Sequence, residues 1–266
     1  MKPVAFTLTA PADLASASHA YATTEGARLI AGGQSLGPML NLRVAQPKSL
    51  IRINSIPEIC GVAETATHVF IGACVTHASI ADGRAPDIGG GILPSIAENI
   101  AYRAVRNRGT IGGSICHADP SADWVCTLIA LGADVIIFRP NQQASRLMPL
   151  QFFIAGAFRT SLESGEILQA IRIPKTTPTA RWGYFKACRK PGEFAHAMAA
   201  VLEDPAKGFS RIAIGAMGGP PLVFEGDQAS PESLAKNFRA HAGELDEIAQ
   251  HMHLIAIKRA FERAAA

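Results

Sequence analysis

At 266 residues, with 48% apolar and 18% charged residues, the chain is long enough to bury one large core or two small ones and has the balance of a globular protein. A net charge of +3 with no Lys/Arg-rich run argues against a nucleic-acid binder, and no apolar run approaches the ~20 residues of a bilayer span. Cys60, Cys74, Cys116, Cys126 and Cys188 form no CxxC pair, which argues against a disulfide framework, a zinc ribbon or a cluster site in this chain.

The start, Met1-Lys2-Pro3-Val4-Ala5-Phe6, lacks the apolar core of a secretion signal, so the expected compartment is the cytoplasm. Val4 to Thr9 reads as a short strand. Ala10-Pro11-Ala12-Asp13 turns into an alanine-rich helix from Leu14 to about Thr23. The apolar run Ala27 to Ala31 predicts a buried strand that feeds a glycine pair, Gly32-Gly33. A helix over Leu36 to Leu42, with Pro38 near its first turn, and a strand from Ser49 to Ile53 complete a βαβ-like unit within the first ~55 residues.

Ile56-Pro57-Glu58 makes a break. Gly61 to Ala63 and Val69 to Ala73 suit a hairpin, and Thr76 caps a helix running to Ala81. Gly89-Gly90-Gly91 reads as a connector, and Leu93 to Ala104 as a helix followed by Arg106 and Arg108. After a polar stretch, Thr110 to Asp123, come a helix (Trp124 to Leu131), a strand (Ala133 to Phe138), a turn at Pro140-Asn141, a short helix (Leu150 to Ala157) and a strand (Glu166 to Ile173). The Thr/Pro-rich segment Pro174 to Ala180 is the best domain boundary. Beyond it the pattern predicts a strand (Trp182 to Cys188), a helix (Ala195 to Leu202), a strand (Phe209 to Ala216), a glycine turn (Gly218 to Pro221) and helices over Ser230 to His241 and Leu245 to Ala264.

Two glycine segments carry the chemistry. In Ala31-Gly32-Gly33-Gln34-Ser35-Leu36 and Thr110-Ile111-Gly112-Gly113-Ser114-Ile115 the backbone can approach a ligand without a Cβ, and hydroxyls stand beside it. Each reads as a loop that can form an anion-binding nest, and two together suit a diphosphate. Neither is a GxGxxG fingerprint or a Walker loop. His117, Asp119 and Asp123 have metal-capable side chains, but capping or cofactor bonding fits their spacing better. His251 and His253, one residue apart on a helix, are read as surface residues on different faces. No catalytic triad is assignable, so the sequence offers a cofactor pocket without a hydrolytic centre, with no catalytic residue and no metal ligand.

The segments Ala31 to Arg43 and Arg106 to Ser114, with Ile53 to Glu58, Ile71 to Ala73, Ile167 to Pro174, Phe185-Lys186 and Arg189, resemble the FAD-binding medium subunit of molybdenum hydroxylases. That family includes carbon monoxide and xanthine dehydrogenase flavoproteins and N-heterocycle dehydrogenases. The resemblance covers nearly the whole chain. It implies an α+β fold: a vanillyl-alcohol-oxidase-type FAD-binding domain of two α/β subdomains (1–55 and 56–175) and a C-terminal domain (176–266) with a three-stranded antiparallel sheet and helices. It also implies that Gly32, Gly33, Gln34, Ser35 and Leu36, following Ala31, cradle the pyrophosphate from one side. Thr110, Ile111, Gly112, Gly113, Ser114 and Ile115 hold it from the other. His117, Asp119 and Asp123 contact the flavin nucleotide, Asp123 through a polar group of the cofactor. Ile100 and Ala101 lie beside the FAD, and Leu168 and Lys186 near the isoalloxazine, where an ammonium favours the anionic reduced flavin.

The same resemblance implies partners. A large subunit holds molybdopterin and oxidises the substrate (an N-heterocycle, purine, aldehyde or CO), and a small subunit holds two [2Fe–2S] clusters. The expected assembly is a dimer of heterotrimers that passes electrons from FAD to an external acceptor. The rival readings are a stand-alone flavin oxidoreductase and a non-catalytic nucleotide-binding module.

Overall fold

The protein is described by a computed structural model that covers residues 2–140, 145–243 and 245–266. The turn expected at Pro140-Asn141 falls partly on Asn141, outside the described residues. The fold is α+β, as expected.

The first layer is the βαβ-like unit. Strands β1 (Thr7–Thr9), β2 (Ala27–Ile30) and β3 (Ser49–Arg52) form a parallel sheet in the order β1-β3-β2, with Thr7 and Ala27 both in register with Ser49. Helices α1 (Leu14–Thr23) and α2 (Leu36–Asn41) make the crossovers that parallel strands require. Asp13 starts α1 by accepting the Ser16 N–H at 2.7 Å. Leu14 and Ala17 of α1 bury against Ile51, Ile53 and Ile59.

The second layer is antiparallel, in the order β4 (Val62–Glu64), β5 (His68–Gly72), β10 (Ile167–Pro174), β6 (Asp134–Phe138), β7 (Arg146–Pro149). The expected hairpin is β4–β5. Between β5 and β6 run α3 (His77–Ala81), α4 (Ile92–Glu98), α5 (Arg103–Arg106), α6 (Ile111–His117) and α7 (Asp123–Ala130). After β7 come α8 (Leu150–Phe153) and the small hairpin β8 (Ile154–Gly156) and β9 (Arg159–Thr160). Every residue of α7 is buried, with Trp124 fully enclosed in the largest core. The helix predicted from Leu93 to Ala104 is interrupted at Ala101, whose φ of +45° no helix tolerates.

The third layer is β11 (Arg181–Ala187), β12 (Ala197–Asp204), β13 (Phe209–Gly215) and β14 (Leu222–Glu225), antiparallel in chain order. Helices α9 (Pro231–His241) and α10 (Glu247–Ala265) complete it. Two expectations are corrected here. The sheet has four strands, because Leu222–Glu225 adds an edge to β13. The helix predicted over Ala195 to Leu202 is instead the strand β12, paired on both sides. Alanine favours helix locally, but small side chains let β12 lie buried with cores on both faces. His253 is a third correction. Only 1% exposed, it stacks on Phe238 and bonds the Gly215 carbonyl at 3.1 Å, because α10 turns that face onto the sheet.

Candidate functional site

The first glycine segment starts where β2 ends. The Ile53 N–H donates to Ile30 O at 3.0 Å, and the chain then leaves the sheet. Gly33 adopts φ +68°, a conformation glycine takes freely. The turn closes into α2 through Gly37 N–H to Gly33 O at 2.9 Å. The N–H groups from Gly32 to Leu36 have no hydrogen-bond acceptor among the described residues. A run of unpaired amides at a turn is an anion-binding nest. Gln34 folds back to donate to Gly32 O at 3.1 Å.

The second segment is not a loop. It is the helix α6, capped by Thr110, whose hydroxyl accepts the Gly113 N–H at 3.1 Å. The other first-turn amides are also taken. Ile111 and Gly112 donate to the Val75 and Ala73 carbonyls at 3.0 and 2.9 Å, and Ser114 to Thr110 O at 3.0 Å. The loop expectation failed because the hydroxyl before the glycines caps a helix as readily as it lines a loop. The glycines serve two ends here. A Cβ on Gly112 would stand 2.6 Å from Ala73 O, so Gly112 lets α6 pack on the end of β5. Gly113 faces outward, with only Thr110 Oγ1 near the place of a Cβ.

Tertiary packing brings the two segments together. A Cβ on Gly32 would lie 2.0 Å from Arg108 O, so the first segment rests directly on the backbone that leads into Thr110. Beneath this junction His77 is buried. Its Nδ1 accepts from Trp124 Nε1 at 3.0 Å, and burial, with the nearby Arg106 charge, lowers its pKa to about 4.

Past α6 the chain bends through Ala118 at φ +50°, and Ala118 O accepts the N–H of Phe158, itself at φ +56°. His117 packs its ring 5.1 Å from that of Phe158. Asp119 Oδ1 accepts the Ser121 N–H at 2.9 Å, and Pro120 O accepts the Ala216 N–H. Among the described residues no three His, Cys, Asp or Glu side chains gather as metal ligands.

Asp123 opens α7, and its Oδ1 is shared by two partners. Lys186 Nζ and the Tyr184 hydroxyl each stand 2.8 Å from it. Lys186 also donates to Asn99 O at 3.0 Å. The Asp123 and Lys186 side chains are 6% and 7% exposed. Burial raises the Asp123 pKa, against the pull of Lys186.

Asn99 precedes the turn Ile100-Ala101, which Arg106 holds by donating to both carbonyls at 3.0 and 2.9 Å. Gly192 packs its Cα against the Ala101 backbone. An open cavity of about 530 Å³ borders this turn, lined by Asn99, Ala101, Tyr102, Arg106, Lys190 and Gly192 among others. Leu168 stands apart. It is buried in β10 within the main core. Sequence reasoning missed Tyr184 and Asn99. Tyr184 was within reach, since it shares a strand face with Lys186 two residues on. Asn99 contributes a backbone carbonyl, which no sequence pattern marks.

The residues present fit a dinucleotide cofactor. One segment offers unpaired amides to a diphosphate, Gly113 is exposed on α6, and a buried ammonium–carboxylate pair joins the first residue of α7 to β11. Residues 4–176 match the family model described as the FAD binding domain in molybdopterin dehydrogenase. The chain is 29% identical to the caffeine dehydrogenase subunit beta of Pseudomonas sp. (strain CBB1), over 98% of its own length and 91% of the relative's. It is 32% identical to the nicotine 6-hydroxylase medium subunit of Paenarthrobacter nicotinovorans, over 93% and 90%. Its structure superposes on carbon monoxide dehydrogenase from Hydrogenophaga pseudoflava with a TM-score of 0.89 at 31% identity, covering 100% of this chain and 99% of the other.

Proposed function

This chain belongs to the FAD-binding medium subunits of the molybdenum hydroxylases, a family of oxidoreductases, and on that premise we propose that it is the electron-transfer subunit of a heteromeric dehydrogenase. FAD supplies the redox chemistry when bound, exchanging electrons between a one-electron donor and an acceptor. The donor in this reading is a pair of [2Fe–2S] clusters on a small subunit, and a large subunit holds molybdopterin and the substrate. The substrate class is an N-heterocycle, in keeping with the caffeine and nicotine enzymes among its relatives. The assembly is a dimer of heterotrimers serving an external acceptor. The cytoplasm is the proposed location; five free cysteines accord with a reducing compartment.

The observation that carries the reading is the amide run from Gly32 to Leu36, seated on the Arg108 backbone that leads into Thr110. We assign the diphosphate to these amides, with Thr110 to Ile115 as its opposite wall. We assign His117, Asp119 and Asp123 to the nucleotide, Asp123 through its carboxylate. Ile100, Ala101 and Lys186 take the ring end, with Leu168 supporting it from the core. The divisions of the chain are placed at residues 55 and 175.

An absorbance spectrum of the purified chain tests the core of this. Flavin bands, reconstituted if necessary with added FAD, are expected; a chain that stays colourless overturns the reading. Gly113→Val is expected to abolish flavin retention, since the new side chain stands where the phosphate would lie. Thr110→Ala, which removes the cap of α6 within that wall, is expected to cost about 1 kcal/mol of stability, measured as a drop in Tm. Co-purification with subunits carrying molybdenum and iron tests the partners.

A further inference from the structure

The Lys186 ammonium is almost fully buried and bonded to Asp123 Oδ1 and to Asn99 O. An ammonium has three N–H donors, so one remains. Had Asp123 no other partner, its carboxylate would neutralise Lys186 across 2.8 Å in a poorly solvated site, leaving little field for a ligand. The Tyr184 hydroxyl changes that balance. It donates to the same Oδ1 from the same strand face as Lys186, at 2.8 Å. A hydrogen bond to a carboxylate oxygen spreads its negative charge onto the donor and weakens its hold on a second cation.

Tyr184 is itself held on both sides. Its backbone carbonyl accepts from Arg263 of α10, and the Arg263 guanidinium lies 5.0 Å over the neighbouring Phe185 ring. Gly183 lets α10 press directly onto the strand there. The hydroxyl is thus fixed by the third layer of the fold, while Asp123 belongs to α7 and Asn99 follows α4.

We propose that Tyr184 is a positioning residue for the flavin site: its hydroxyl holds Asp123 and shares that carboxylate with Lys186, so that the ammonium keeps a charge and an N–H for the cofactor. This rests on the FAD reading above. It assigns Tyr184 no contact with the cofactor; the residue acts through Asp123 and Lys186. The consequence is that the chain favours the reduced, more negative flavin more strongly with Tyr184 than without it.

The test compares the full FAD-loaded chain with Tyr184→Phe, Lys186→Gln and the double variant, reading flavin content, the midpoint potential and the far-ultraviolet spectrum. Tyr184→Phe keeps the buried ring and is expected to hold FAD. Its preference for reduced over oxidised flavin is expected to fall about tenfold, the factor typical of a hydrogen bond to a charged group, and its potential to become more negative. In the Lys186→Gln background the same substitution is expected to shift nothing, because the route through the ammonium is gone. An unchanged potential in Tyr184→Phe, or an equal shift in both backgrounds, overturns the proposal. Should Tyr184→Phe fail to fold, the reduced-minus-oxidised infrared spectrum of the wild-type chain with ring-labelled tyrosine decides. A tyrosine C–O band that moves on reduction supports the coupling, and its absence overturns it. A wild-type chain that takes up no FAD overturns the functional reading itself, an outcome that flavin content separates from failure of the Tyr184 proposal.

Discussion

His77 shows how one side chain ties the site to the stability of the chain. It lies under the junction of the two glycine segments, where a Cβ on Gly109 would meet its ring at 2.9 Å. Burial and Arg106 keep it neutral in the fold down to about pH 4, whereas in the unfolded chain it protonates near its ordinary value of 6.5. Between these values the unfolded state binds more protons, so stability falls as the pH drops through that window. Urea titrations are expected to show His77 contributing a loss on the order of 2 kcal/mol between pH 7 and pH 5. His77→Gln, which can still accept from Trp124, is expected to flatten that dependence. An equally steep dependence in the variant would place the proton elsewhere. Thr110 and Gly32 make a related point. Their identities announced a backbone that meets a ligand, but only the fold showed that Thr110 spends its hydroxyl on a helix cap while the amides after Gly32 stay free.

At the scale of elements, β12 and α10 decide the C-terminal part. The strand's alanines read as helix in isolation, yet they are what allows a central strand to be covered on both faces. The closest approach is at Gly183, where a Cβ would sit 1.8 Å from the Ala260 carbonyl. Neither backbone can yield without moving α10 as a body. Gly183→Ala is therefore expected to destabilise the chain by about 3 kcal/mol, at the upper end for overpacking, measured as a drop in Tm. A change within a few tenths of a kcal/mol would mean that α10 is free to lift off. The helices around the site behave differently. Ala101 breaks the predicted long helix into α4 and α5, and the break is what delivers Asn99 O to Lys186.

Across the whole molecule, the second and third layers meet at a buried carboxylate. Asp204, at the end of β12, accepts both the N–H and the hydroxyl of Thr177 in the connector, while Thr176 is bonded to Ile88 O through its own N–H and hydroxyl. Asp204→Ala leaves the Thr177 N–H without its acceptor and the hydroxyl with only Thr179 Oγ1 at 3.1 Å, at an expected loss of about 2 kcal/mol. Limited proteolysis is expected to cut the variant between residues 176 and 180 sooner than the wild type; equal rates would show that the connector is held elsewhere. No helix among the described residues is long and apolar enough to cross a membrane. The sequence by itself determined the parallel unit of β2, α2 and β3, the hairpin β4–β5, the glycine segments and the family to which they belong, because local periodicity and short motifs encode these. Only the tertiary structure decided that β12 is a strand, that α6 is a helix with its amides spent, and that Tyr184, Asp123, Lys186 and Asn99 meet. Those outcomes depend on groups far apart in the chain competing for the same buried space and the same hydrogen bonds, and no local pattern records who wins.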